Sequence, residues 1–343
     1  MSDRAGRDDD GLSFDVTPRK LVVLGLFAVL TAVALYLAVP QLAGLHDTWD
    51  RIREGDAAWL ILAGVLTLGM FGGYVMQFHW TYESELTWRE SLQVTLAALA
   101  ATRIFSAGGA GGLVLQSWAL RRAGLEAREV ADRTVGFIVL QYLVYMLAVV
   151  VFGFGLHYGL FPGSAPFAVT FLPATLALAA TALGLSLGFV PPDLQKRLSA
   201  GPMKRLAHLP ASASAGIRQA LGRVRQPDGA VVGAVGFWAF QIGVLWASFE
   251  AFGDAPPVAV LIVGFFVGML GNLLPLPGGI GGVDGGMIGA FAAFDVDSGL
   301  ALVAVLTFRG FTFWLPTIPG VIAFLALRRT VEAWRNDQRP TYT

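Results

Sequence analysis

Eight apolar runs, most of them long enough to cross a bilayer as a helix, constrain this chain more than any other feature. They fall near 21–39, 57–78, 91–116, 134–156, 166–190, 230–252, 257–294 and 300–327. About 20 apolar residues in a helix cross the hydrocarbon core of a bilayer. Only 14% of the residues are charged and 55% are hydrophobic, against about 25% charged in an ordinary soluble domain. The sequence therefore predicts an all-α integral membrane protein. Residues 21–327 form its transmembrane domain, and polar tails lie at 1–20 and 328–343. The first tail carries Asp8, Asp9 and Asp10 in polar sequence and reads as disordered. The run from Leu21 follows Arg19 and Lys20 and exceeds the roughly 7–15 apolar residues of a cleaved leader. It reads as a retained signal-anchor.

Two runs are not simple spans. The run 91–116 contains Gly108, Gly109, Ala110, Gly111 and Gly112, and the run 257–294 contains Pro275-Leu-Pro277-Gly278-Gly279-Ile-Gly281-Gly282. Proline removes a backbone donor and glycine loosens a helix. Broken backbone at membrane depth survives only inside protein or beside a wet cavity. Both runs are expected to be re-entrant hairpins, with about six full crossings around them.

Charge placement fits that count. With the N-terminus in the cytoplasm, 20 of the 24 Lys and Arg fall in cytoplasmic segments. Arg51 and Arg53 fall outside, and Arg103 and Arg309 sit within apolar runs. This bias follows the positive-inside rule, and it predicts a multi-pass cell-membrane protein with both termini cytoplasmic. The motif at Gly108–Gly112 recurs at Gly278–Gly282. Each copy lies in a unit of helix, broken hairpin and helix, at 57–156 and 230–327, with the run 166–190 between them to invert the second unit. Inverted repeats with broken helices near the midplane are a transporter pattern.

Several function classes are excluded or left without support. There is no cysteine, so thiolate chemistry and Cys metal sites are absent. Net charge is zero, which gives no footing for nucleic acid. The four histidines, His46, His79, His157 and His208, have no partners at metal-ligand spacing and read as interfacial. No nucleophile elbow, nucleotide loop or zinc signature is present, so neither an enzyme nor a cofactor is expected. The cytoplasmic segment 191–229 places Ile217, Leu221 and Val224 at helical spacing beside Arg218, Arg223 and Arg225. It reads either as a linker with positive-inside charge or as an amphipathic helix on an anionic leaflet.

The charges inside apolar runs are Arg103, Glu250, Asp284 and Arg309. An ionised group at membrane depth costs at least about 2.5–3.5 kcal/mol and faces a partner or a cavity. Arg309 lies roughly 14 Å into its helix, counted from Leu300 at about 1.5 Å per residue. Two readings stand side by side. Asp284 and Arg309 form a pair that fixes the hairpin to the last helix, or Arg309 grips a substrate phosphate while Asp284 orients it. The glycine tips likewise either permit close helix packing or present amides and half-helix N-termini to an anionic headgroup.

The stretch Asn272-Leu-Leu-Pro-Leu-Pro-Gly-Gly-Ile-Gly-Gly-Val-Asp284, with Arg309 in the following helix, resembles the lysylphosphatidylglycerol synthase transmembrane region family. So does Gly108-Gly-Ala-Gly-Gly112 followed by Ala119-Leu-Arg-Arg-Ala-Gly124. In that family a Glu usually stands where Asp284 stands here, and the first hairpin usually carries a proline. The resemblance implies a flippase-like domain that moves a phosphate-bearing lipid between leaflets, without the soluble synthase domain that names the family. Arg103, Gly108, Gly109, Gly111, Gly112, Asn272, Pro275, Pro277, Gly278, Gly279, Gly281, Gly282, Asp284 and Arg309 would then meet substrate. Alternatives are a non-transporting scaffold for a partner lipid-modifying enzyme, or such an enzyme itself.

Overall fold

The protein is described by a computed structural model covering residues 55–82, 86–104, 110–186, 188, 209–273, 279 and 281–335. Within these, the side chains of 103, 104, 110, 209–213, 333 and 335 are not described. The first apolar run, the tail 1–20 and residues 336–343 lie outside them, whereas residues 328–335, expected to belong to the second tail, continue the last helix. Every regular element among the described residues is helical: α1 Ala57–Thr81, α2 Trp88–Ile104, α3 Ala110–Arg122, α4 Ala127–His157, α5 Phe171–Ser186, α6 Leu209–Arg225, α7 Gly229–Glu250 and α8 Val258–Gly268. A 3₁₀ turn, Met269–Leu273, follows, and then α9 Gly282–Ala293, α10 Ser298–Arg309, a π turn Gly310–Trp314 and α11 Thr317–Arg335. Helices α1, α4 and α7, and α10 with α11 over 298–332, are long and apolar enough to cross a membrane.

Local chemistry sets the helix starts. Asp56 caps α1 by accepting the Ala58 amide proton at 2.8 Å, and Asp228 caps α7 through Ala230 at 2.9 Å. Thr87 and Glu90 form a reciprocal capping box at the start of α2, since Glu90 Oε2 accepts from the Thr87 amide and Thr87 Oγ1 accepts from the Glu90 amide. Both broken runs are interrupted, α2 from α3 and α8 from α9. The last run departs from the single helix expected. Its backbone widens into the π turn, where the Leu315 amide reaches back to the Gly310 carbonyl at 2.9 Å. Pro316 and Pro319 supply no amide there to continue the ladder.

The elements of 56–157 recur in the same order in the second half of the chain. Asp56 maps to Asp228, Trp88 to Val258, and Ala127 to Ser298. The turn closing α3, with the Leu125 amide bonded to the Leu120 carbonyl at 3.2 Å, recurs closing α9 as Val296 to Phe291 at 3.1 Å. A left-handed residue stands in each turn, Gly124 in the first and Asp295 in the second.

Helices α1 and α7 run antiparallel through small residues. A β-carbon at Gly73 would lie 2.6 Å from the Phe237 amide nitrogen, and one at Gly233 would lie 2.6 Å from the Gly73 carbonyl oxygen. Gly69 faces the Phe240 ring, and Gly243 faces Leu66. The register that takes Ala127 to Ser298 takes Gly69 to Phe240, its own contact partner. Trp59 meets Trp246 edge-on at 5.0 Å, and the Asp56 amide donates to the Ala251 carbonyl at 2.9 Å.

Each hairpin is clasped by the last helix of the other unit. Helix α11 lies along α2, with the Thr330 hydroxyl on Gln93 at 2.9 Å and the Trp334 indole N–H on Glu90 at 2.8 Å. Helix α4 lies along α8, with the Tyr145 hydroxyl donating to the Phe266 carbonyl at 2.8 Å. Helix α6 packs on α4. Ile217 and Ala220 are buried there, while Val224 is exposed. The apolar stripe expected to be linker or leaflet-facing is thus divided, with Ile217 inside the protein because Gly216 approaches Val135 and Gly136 closely.

Candidate functional site

Helices α8 and α9 form an antiparallel hairpin held together by glycine. Gly271 lies on Gly282, Gly268 on Met287, and Gly264 on the Phe291 ring. A β-carbon at Gly286 would stand 2.7 Å from the Gly268 carbonyl oxygen. No larger residue allows this approach, and in lipid such close van der Waals contact is what associates helices.

At the end of this hairpin, Asp284 sits in the first turn of α9, where an acid is favoured by the helix dipole. One carboxylate oxygen accepts the Gly281 amide proton at 2.9 Å. The other meets Arg309 Nε, from the last residue of α10, at 2.7 Å. The pair is mostly enclosed, with side-chain exposures of 13% for Arg309 and 17% for Asp284. The guanidinium also lies over the Phe313 ring, 4.4 Å from its centroid, a cation–π contact strengthened by desolvation. The π turn places Phe313 there, four residues on from Arg309.

The sequence-expected site residues divide accordingly. Asn272, Gly279, Gly281, Gly282, Asp284 and Arg309 come together. Gly279 and Gly281 have φ of +67° and +81°, conformations that glycine adopts without strain. Gly279 also abuts the Asn272 amide oxygen. Pro275, Pro277 and Gly278 lie outside the described residues. In the first hairpin, Gly112 packs against the Ala98 carbonyl on α2, and Gly111 lies beside it in the first turn of α3. Gly108, Gly109 and the Arg103 side chain lie outside the described residues. Of the two readings of Asp284 and Arg309, the ion pair is present. It engages the guanidinium through Nε and fixes the hairpin to α10.

Sequence reasoning missed the aromatic support of Arg309, because a π turn has no local sequence signature. It also missed Tyr145, Trp238 and Phe266, which pack as a cluster with centroids 4.5–5.8 Å apart. Among the described residues no group of three or more His, Asp or Glu is placed to hold a metal ion.

Comparison with known proteins places the chain among membrane proteins. The model of the lysylphosphatidylglycerol synthase TM region matches residues 21–320. A UPF0104 membrane protein of Methanothermobacter thermautotrophicus is 22% identical over 329 residues, covering 87% of this chain and 94% of that protein. Another from the same organism is 35% identical over 91 residues, and one from Methanocaldococcus jannaschii is 30% identical over 96. These two local matches span 26% and 29% of the relatives' own lengths. With the family model matching most of the chain, this protein belongs to the lysylphosphatidylglycerol synthase transmembrane region family.

Proposed function

We propose that the protein is a flippase-like transporter that carries a phosphate-bearing lipid, or a lipid-linked intermediate, between leaflets. The observation that carries this reading is the Asp284–Arg309 pair at the glycine tip of the α8/α9 hairpin. A guanidinium has five donors in a planar fork. That fork matches phosphate oxygens in pairs, which a lysine ammonium cannot do. A structural pair alone could be replaced by apolar residues of similar volume without loss. Retaining the charge at membrane depth is the pattern of a substrate path.

The topology belongs to the same proposal. Six full crossings, two re-entrant hairpins of opposite entry and cytoplasmic termini in the cell membrane form an inverted repeat. The recurrence of elements and the contact between Gly69 and Phe240, which occupy equivalent positions on α1 and α7, support it. Headgroups would pass between the two glycine tips while acyl chains stay in lipid. The family's lipid-related membrane role is in keeping with this. Movement is passive or ion-coupled, because no nucleotide-binding loop is found in the sequence.

The test is lipid scrambling in liposomes reconstituted with the full chain, read across several headgroup classes. Arg309→Lys keeps the charge and loses the fork. It is expected to fold and to lose most transport of phosphate-bearing lipid. Full transport by Arg309→Lys, measured beside the wild type, refutes the phosphate contact and leaves the structural pair.

A further inference from the structure

The two halves differ around Tyr145, Trp238 and Phe266. There, helices α4, α7 and α8 are filled by interlocking aromatic rings. The Trp238 indole N–H donates to the Gln141 carbonyl at 2.9 Å, and Tyr145 donates to Phe266. The register that relates Gly69 to Phe240 sets Pro316 opposite Tyr145 and Thr67 opposite Trp238, and the match of Trp88 to Val258 sets Leu96 opposite Phe266. No aromatic plug stands at those positions. Instead α1, α2 and the start of α11 border a groove of about 820 Å³. Its walls include Gly64, Gly72, Leu92 and Pro319, and its open side carries Leu68 and Ile318, 72% and 65% exposed. Along α1 it runs from Gly64 to Val75, roughly 16 Å at about 1.5 Å per residue.

One end of the groove is polar. Trp88 and the exposed Arg89 stand there, in the first turn of α2. A cation in a first turn opposes the helix dipole, so Arg89 gains nothing from its own helix. Glu90 beside it is already engaged by Thr87 and Trp334. An interfacial tryptophan and an arginine above an apolar cleft match a lipid's glycerol-phosphate region above its chain.

We propose that this groove binds one acyl chain of an anionic glycerophospholipid, with the phosphate held by Arg89. The other candidate occupant is the chain's own apolar run 21–39. It is flanked by Arg19 and Lys20, which would bring like charge to Arg89, whereas a phosphate brings the opposite charge. The site is separate from the Asp284–Arg309 pair, and it holds whether or not lipid crosses the bilayer.

The experiment uses the full chain in mixed phosphatidylethanolamine and phosphatidylglycerol vesicles containing a phosphatidylglycerol probe with a diazirine in its acyl chain. After photolysis, labelled peptides are mapped by mass spectrometry. Label is expected on residues 64–75 and 315–319 above that on the exposed Leu176 and Leu183 of α5. A β-carbon at Gly72 meets nothing within 4 Å, and one at Gly64 meets only Phe311 at 3.6 Å. Gly72→Leu and Gly64→Leu therefore fill the groove without a clash at the β-carbon. Each should lower the groove label about tenfold, with folding followed by gel filtration. Arg89→Gln should lower it about fivefold for the phosphatidylglycerol probe and leave an uncharged diacylglycerol probe unchanged. Label equal to that on α5, or unaffected by either leucine, overturns the proposal. So does efficient cross-linking of a cysteine at Leu68 to one at Leu30 in place of lipid label. Because no transport is read, failure here is distinct from failure of the scrambling test.

Discussion

Gly72 and Gly73 are adjacent in sequence yet face opposite conditions, which makes alanine at each a direct test of the α1/α7 contact. At Gly72 a β-carbon meets nothing within 4 Å. At Gly73 it would lie 2.6 Å from the Phe237 amide nitrogen and 3.0 Å from the Gly233 carbonyl oxygen. Those atoms are backbone and cannot rotate away. Restoring ordinary contact from 2.6 Å to 3.4 Å or more parts the helices by about 0.8 Å, and a gap of about that size forfeits a quarter to a half of each dispersion contact. Overpacking of this kind costs about 1–3 kcal/mol. Both variants share the intrinsic gain of alanine over glycine in a helix, up to about 1 kcal/mol. The difference between them therefore isolates packing. Gly72→Ala should be neutral or stabilising, and Gly73→Ala should be less stable than Gly72→Ala by about 1–3 kcal/mol. Thermal unfolding in detergent, followed by fluorescence-detected gel filtration with ramps on both proteins side by side, gives the order. On the facing helix, Gly233→Ala should behave as Gly73→Ala does, and Gly236→Ala, 4.0 Å from Phe240 Cε2, as Gly72→Ala does. Equal melting of Gly72→Ala and Gly73→Ala would refute the glycine contact between α1 and α7.

Arg309→Ala strands Asp284 and should cost about 3–5 kcal/mol, while Arg309→Ala with Asp284→Ala should recover much of that loss; thermal stability of the four proteins in the cycle gives the coupling, and additive losses would refute it. Single cysteines at the exposed positions Ala127 and Asp297 should label from opposite sides of the membrane, as the inverted repeat requires; labelling from one side refutes that topology. Asp228→Ala removes both the α7 cap and the partner of Arg223, and should lower stability by about 1 kcal/mol, read by the same melting assay.

The division of labour between sequence and fold follows from what each residue answers to. The interruptions between α2 and α3 and between α8 and α9 were legible because proline and glycine act on the backbone within one turn. Asp284 and Arg309 stood out because charge is costly in lipid, whatever its surroundings. The two glycine motifs, one in each half, are the sequence basis of the repeat proposed above. The contact between Asp284 and Arg309, which lie on different helices, depended on how the hairpin closes onto α10. The split of the last run at Gly310–Trp314 depended on a π turn that hydropathy does not register. The burial of Ile217 on α4 depended on a neighbour reached only after folding. Which of Gly72 and Gly73 is packed, and why Thr67 borders a groove while Trp238 fills its counterpart, were likewise decided by the tertiary structure. In water an apolar face marks the core. In a bilayer both the lipid-facing and the protein-facing sides of a helix are apolar, so hydropathy fixes the spans and is silent on which side meets protein.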